Sequence, residues 1–205
     1  MPVAVTESSL DMLPVGPPRK RWTRTECAAL DGTGLFDSEH LELIDGELIN
    51  KMGKKRRHVN GLTAIQLWLA AVFGGEFVNF EAPIDVSPED NPTNEPEPDL
   101  IVLSRPFAEF AEANPQSADL RLVVEVSDTT LGFDLTAKAR LYARAGIADY
   151  WVLDVQGRRL IVHRDPQAGR YVSVAAYSEQ ESVAPLVVPE TPFPVAAAFP
   201  SQARK

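Results

Sequence analysis

Glu125 stands inside Leu122-Val123-Val124-Glu125-Val126-Ser127, a run of branched apolar residues that reads as a buried strand. An ionised carboxylate is costly there unless another group pairs with it. A second acid, Asp99, follows Pro98 at the entrance of another apolar strand, Leu100-Ile101-Val102-Leu103. Carried by adjacent strands, the two acids could share a divalent cation. Downstream, Asp134, Lys138 and Tyr142 fall along one helical face, with Leu135, Ala139 and Leu141 as apolar surface beside them and Gly146 as the stop. Such a helix, read over Asp134 to Ala145, can lean Lys138 back over Glu125. Acids that hold a cation, a cation that lowers the pKa of a bound water, and an ammonium that stabilises hydroxide or developing phosphate charge are the parts of metal-assisted hydrolysis.

Each residue also has a plainer reading. Pro98-Asp99 could be a turn leading into a strand, and Glu125 could be half of a structural bridge to Lys138 or Arg121. Asp134 could orient Lys138 or cap its helix, and the preference of aspartate for the N-cap points to capping. His58 begins a helix, as a surface or capping residue would, and His163 lies on an alternating strand as a structural residue. Trp68 and Trp151 sit in apolar patterns and belong to the core.

The elements that must position these groups are legible in chain order. Residues 1–20, with Pro2, Pro14, Pro17 and Pro18, read as a flexible arm. Thr23 to Leu30 reads as a short helix with a capping box between Thr23 and Glu26. Asp45-Gly46 between two apolar pieces is a hairpin signal. His58 to Phe73 carries helical periodicity up to Gly74-Gly75, and Phe77 to Val86 reads as a strand followed by a Pro-rich loop. After strands Leu100 to Leu103 and Leu120 to Val126, and the Asp134 helix, three more strands at Tyr150, Arg159 and Tyr171 form a meander. The order predicts a mixed α/β (α+β) sheet flanked by helices, forming one domain over residues 21–197 with a C-terminal tail at 198–205.

Composition sets the outer bounds. A chain of 205 residues, 44% of them hydrophobic, can build one sizeable core. The lone cysteine, Cys27, excludes an internal disulfide framework, and no apolar run approaches the ~20 residues of a membrane span, so a cytoplasmic, membrane-free protein is expected. The net charge of −9 argues against a nucleic-acid partner on average, but binding follows local fields, and Lys51, Lys54, Lys55, Arg56 and Arg57 crowd one connection.

Taken together, Glu42-Leu43-Ile44-Asp45-Gly46-Glu47, His58, Pro98-Asp99-Leu100-Ile101-Val102, Val124-Glu125-Val126-Ser127-Asp128-Thr129-Thr130-Leu131, Asp134, Lys138, Tyr142 and Tyr150-Trp151-Val152-Leu153-Asp154 resemble the Uma-two family. That bacterial family is catalogued both as candidate restriction endonucleases and as a domain of unknown function, and is placed in the PD-(D/E)XK nuclease superfamily. The resemblance spans residues 22–195. It implies a restriction-endonuclease-like sheet core and a phosphodiesterase site using Mg²⁺ or Mn²⁺. In it, Asp99, Glu125 and the carbonyl of Val126 are the metal ligands, and Glu42 is a further acid that orients a water or ligand. Ser127 occupies the position where the superfamily pattern has lysine, and Lys138 is the residue that matches that lysine from the following helix. Asp134, Tyr142 and Ser127 are supporting residues. The implied substrate is DNA, and cutting two strands implies a homodimer. Two other functions stay open: a nuclease fold without cleavage that serves as a binding or assembly module, and a phosphodiesterase acting on RNA or a small phosphate ester.

Overall fold

The computed structural model describes residues 19–34, 36, 39–51, 53 and 55–199. Most of the expected N-terminal arm, Lys54 of the basic connection and residues 200–205 lie outside the described residues.

A six-stranded sheet is the centre of the molecule. It contains β3 (Val78–Asn79), β4 (Leu100–Leu103), β5 (Leu120–Ser127), β6 (Asp149–Asp154), β7 (Arg159–Gln167) and β8 (Arg170–Ser178), in that spatial order. β5 and β6 are parallel, while every other neighbouring pair is antiparallel. A parallel pair needs a crossover. Here the crossover is α3 (Leu131–Phe133), a π-helical stretch (Asp134–Lys138) and α4 (Ala139–Arg144), run together without a break. Gly146, with φ of +77°, ends it in the left-handed conformation that glycine adopts without strain.

Side-chain alternation divides the core between the two faces. Leu122, Val124 and Val126 point to the face covered by α2 (Arg56–Phe73), where they meet Ile65 and Leu69. Val123 points to the other face, with Leu141 and Tyr142 of α4. Glu125 shares that parity, so the strand's own period aims its carboxylate at the crossover helix. Trp151 is fully buried and Trp68 stacks on it at 6.4 Å, so both tryptophans are core residues.

A separate hairpin, β1 (Leu41–Ile44) and β2 (Glu47–Asn50), turns at Asp45 and Gly46, both with positive φ (47° and 74°) as a tight primed turn requires. It is tied to the loop before β4 by the amide of Gly46 to Thr93 O (2.8 Å) and that of Glu95 to Leu43 O (2.7 Å). The buried side chain of Asn94 accepts from the Asp45 amide at 2.7 Å. Before the hairpin, α1 (Arg24–Asp31) has the expected capping box at Thr23 and Glu26.

Three expectations are corrected. Only Val78 and Asn79 of the predicted strand Phe77 to Val86 join the sheet; Glu81 has positive φ, and its amide and that of Ile84 instead bind Pro98 O and Pro96 O. The crossover helix begins at Leu131, not at Asp134, so Asp134 is not its N-cap. The chain stays in the core past residue 197, since Ala198 and Phe199 are buried in it, and β9 (Ser182–Val183) pairs with β10 (Phe193–Pro194), whose Val183 and Phe193 belong to the same cluster. No described helix is long and apolar enough to cross a membrane.

Candidate active site

Lys138 is the centre of the constellation. Its ammonium is 2.8 Å from Glu125 Oε1 and 3.0 Å from Glu42 Oε1, and all three residues are at least 95% buried. Tyr142, one turn further on, donates its hydroxyl to the same Glu125 oxygen at 2.9 Å. The helical spacing read from the sequence thus brings Lys138 and Tyr142 onto one strand acid. The bridge from Glu125 to Lys138 exists; Arg121 turns away and donates to Ser104 O.

The antiparallel register pairs Leu100 with Val124, which sets Asp99 at the level of Glu125. Asp99 is buried, and its Oδ2 accepts the Val126 amide at 2.7 Å. The two acids therefore sit at the mouth of β4 and β5 as the strand reading expected. Glu42 reaches them from the hairpin, and its second oxygen accepts the Glu97 amide at 3.3 Å. Among the neighbouring acids Glu42, Asp45 and Glu47, Glu42 is the buried one, while Asp45 occupies the turn and Glu47 is exposed.

Asp134 is also buried, and Thr130 donates its hydroxyl to Asp134 Oδ2 at 2.7 Å. Its carbonyl accepts the Ala139 amide within the π-helical stretch and also the Tyr150 hydroxyl at 3.0 Å. Ser127 is buried at the end of β5, 3.4 Å from Thr130 Oγ1.

His58 is the residue that sequence reasoning missed. It is only 9% exposed, it lines the same cavity, and its Nε2 is 3.5 Å from Asp99 Oδ1 without a hydrogen-bond partner. Its position in the first turn of a helix looks like a surface position, and nothing local announces that the turn faces an acid-lined wall. His163 behaves as a structural residue: it packs between Tyr150 and Tyr171, and burial pushes its pKa down to about 4.

A cavity of about 100 Å³ opens over these groups and is bounded by Glu42, Asp99, Glu125, Asp134, Lys138 and His58 at depth, with Lys51 and Lys55 among the residues nearer its rim. Its electrostatics are unbalanced. Burial, reinforced by Asp99, Asp134 and Glu42 and opposed by Lys138, pushes the Glu125 carboxyl up to about 8. Burial likewise raises Asp134. Burial alone would lower Lys138, but Glu125, Glu42 and Asp134 hold it cationic well above the ordinary lysine value. Three carboxyl groups act on one buried ammonium, and a fourth, Asp99, lines the same cavity.

Excess carboxylate of this kind suits a hard divalent cation. No group of three or more His, Cys, Asp or Glu among the described residues is arranged to hold a metal ion. A cation bound through Asp99 and Glu125 would therefore take its remaining oxygens from water, backbone and substrate, which is how Mg²⁺ is commonly held. The donor set fits on those terms.

Comparison with known proteins agrees with this architecture. The model of the Uma2 family, described as "Putative restriction endonuclease", matches residues 28–196. No curated protein matches. Among solved structures, the crystal structure of "a putative nuclease belonging to DUF820" from Anabaena variabilis ATCC 29413 is similar with a TM-score of 0.60, covering 79% of this chain and 90% of that one at 14% identity. At that identity the similarity is one of fold.

Proposed function

The chain belongs to the Uma2 family, and from that premise we propose that it is an endonuclease that hydrolyses phosphodiester bonds of DNA with the help of Mg²⁺ or Mn²⁺. The observation that carries the reading is the buried Lys138 ammonium within 2.8 Å of Glu125 and 3.0 Å of Glu42, in a cavity that Asp99 also lines.

Asp99, Glu125 and the carbonyl of Val126 are the groups that would hold the cation. When bound, it would polarise a phosphate oxygen and make a water acidic enough to attack at neutral pH. The remaining work belongs to the chain's own side chains. Lys138 keeps its proton because three acids surround it, so it serves as a fixed positive charge for the nucleophile and for the charge that develops on phosphate. Glu42 anchors that ammonium from the hairpin side, and Tyr142 donates to Glu125 and fixes its orientation. Asp134 and Ser127, bound through Thr130, brace the loop that joins the strand acid to the lysine helix. The lysine function thus comes from the helix while Ser127 fills the strand position.

Cleavage of both strands favours a two-fold dimer of the enzyme. The test of the activity is nicking of supercoiled plasmid in Mg²⁺ or Mn²⁺ by the wild type and by Asp99→Asn and Glu125→Gln, with circular dichroism to verify folding. Each substitution should lower the rate on the order of a hundredfold or more. Undiminished cleavage by Glu125→Gln would sink the proposal. A panel of duplex DNA, RNA and a small phosphodiester identifies the substrate, and DNA should be preferred.

A further inference from the structure

The acid cavity is not the largest hollow in the molecule. Where α4 packs across β7 and β8, an open cavity of about 500 Å³ lies between Leu135 and Ala139 of the crossover and Ile161 and Val174 of the strands. That volume falls within the roughly 300–1,000 Å³ of small-molecule sites. Two cations stand at it, Arg140 of α4 and Arg170 at the start of β8, and both are exposed. Neither has an ion pair or a side-chain hydrogen bond among the described residues, whereas Arg24, Arg144, Arg158, Arg159 and Arg164 each hold a carboxylate. In a chain of net charge −9, no acid lines this cavity among the described residues.

A second, independent feature lies in the same wall. His163 lines the cavity and is only 4% exposed, and its Nδ1 is buried with no hydrogen-bond partner. Tyr150 and Tyr171 pack against the ring and hold it in place. The Tyr150 backbone is the one group that favours its charged form, and burial outweighs it, so the ring is neutral at pH 7. A neutral imidazole offers one donor and one acceptor, and a buried polar atom left unpaired calls for a partner from outside the described chain. Unpaired guanidinium groups, an apolar wall and an unsatisfied ring nitrogen thus meet in one acid-free cavity.

We propose that this cavity binds a small organic anion, with its carboxylate or phosphate head held by Arg140 and Arg170 and its apolar body laid against Leu135, Ala139 and Val174 beside His163. The planar guanidinium groups match either head through paired N–H donors. An inorganic ion would leave the apolar wall in water, and a neutral molecule would gain nothing from the two arginines. The site stands apart from the nuclease reading. It shares with the acid centre only the helical run, which also carries Lys138 and Tyr142 to Glu125.

The experiment is isothermal titration calorimetry of the full chain with two probes, 2-naphthoate for the carboxylate head and AMP for the phosphate head. It is run in EDTA, where the acid cavity has no cation with which to hold an anion. At least one probe should bind the wild type with a sub-millimolar Kd, and the tighter one assigns the head. Its neutral counterpart, 2-naphthamide or adenosine, should bind about tenfold more weakly, as should the probe itself to Arg140→Ala and to Arg170→Ala. Arg121→Ala, whose side chain donates to Ser104 O and does not line the cavity, should bind as the wild type does. Hydrogen exchange should slow on probe binding in peptides of α4, β7 and β8 and stay unchanged in the β1–β2 hairpin. The proposal is overturned by a wild type that binds neither probe, by equal affinity for the neutral counterpart, or by unchanged affinity in the two arginine variants. An equal loss in Arg121→Ala overturns it as well. Displacement of the bound probe by a DNA duplex would make the two arginines part of a nucleic-acid surface and remove the small-molecule site.

Discussion

Glu125 is an acid whose burial among Asp99, Asp134 and Glu42 outweighs the attraction of Lys138, and that imbalance has a thermodynamic signature. In the fold its proton stays on up to about pH 8, while in the unfolded chain it leaves near the ordinary value of 4.5. Between those values the folded state holds the extra proton, so this group's contribution to stability is fully present below about pH 4.5 and is lost as pH rises through 8. Lys138 remains cationic throughout that window. Urea unfolding in EDTA from pH 5 to pH 8 should show the wild type losing stability relative to Glu125→Gln by up to roughly 1 kcal/mol per pH unit; a wild type that gains on the variant contradicts the assignment. Lys138→Met, which strands two buried acids, should cost about 3–5 kcal/mol in the same assay at pH 8. At this scale the sequence was informative wherever a local period set the geometry. Parity along β5 aims Glu125, and the spacing of Lys138 and Tyr142 delivers two donors to it. Asp134 and His58 were not legible, because the role of the first depends on where its helix starts and the burial of the second depends on which wall α2 faces.

α2 can bring His58 to the acids only because it lies close on the sheet, and Gly61 is where that closeness is sharpest. A Cβ built there would stand 2.6 Å from Leu153 Cδ2 and 3.5 Å from Ala198 O. Leu153 is fully buried and has nowhere to turn. Gly61→Val should therefore lift the helix from β5 and β6, lower stability by about 1–3 kcal/mol, and weaken cleavage by displacing His58. Thermal unfolding and the nicking assay check it together; an unchanged melting temperature would mean that the helix–sheet gap is softer than the contact indicates. The elements themselves were mostly readable, because the hairpin, the capping box and the strands each carry local turn or cap chemistry. The failures have physical causes too. Phe77 to Val86 has strand composition, but Pro83 and the left-handed Glu81 take it out of the sheet after two residues. The π-helical stretch Asp134–Lys138 has no signature in side-chain spacing, and its anchor, Tyr150 OH on Asp134 O, comes from a strand that follows it in the chain.

At the scale of the whole molecule, the sheet ends on one side in an edge with little to protect it. β8 pairs only with β7, runs nine residues, and has no charge or proline between Arg170 and Ser178. Val172 and Val174 on it are 65% and 55% exposed. Edge strands of that length are ordinarily blunted by lysine, proline or a covering element, because an unprotected one recruits another strand. One partner that its sequence suits is its own copy. An antiparallel pair centred on Val174 sets Val174 against its own copy and Ser173 against Ala175 across a two-fold axis, with no charge between them. Such a dimer would also supply the second active site that cutting both strands requires. Sedimentation velocity should find the wild type dimeric at micromolar concentration and Val174→Lys monomeric with an unchanged circular dichroism spectrum. On plasmid DNA the monomeric variant should still nick but should linearise far more slowly, since each strand then waits for a separate encounter. A wild type that sediments as a monomer and still linearises plasmid would remove the pairing of β8 from the account, while the chemistry around Lys138 would stand on its own test.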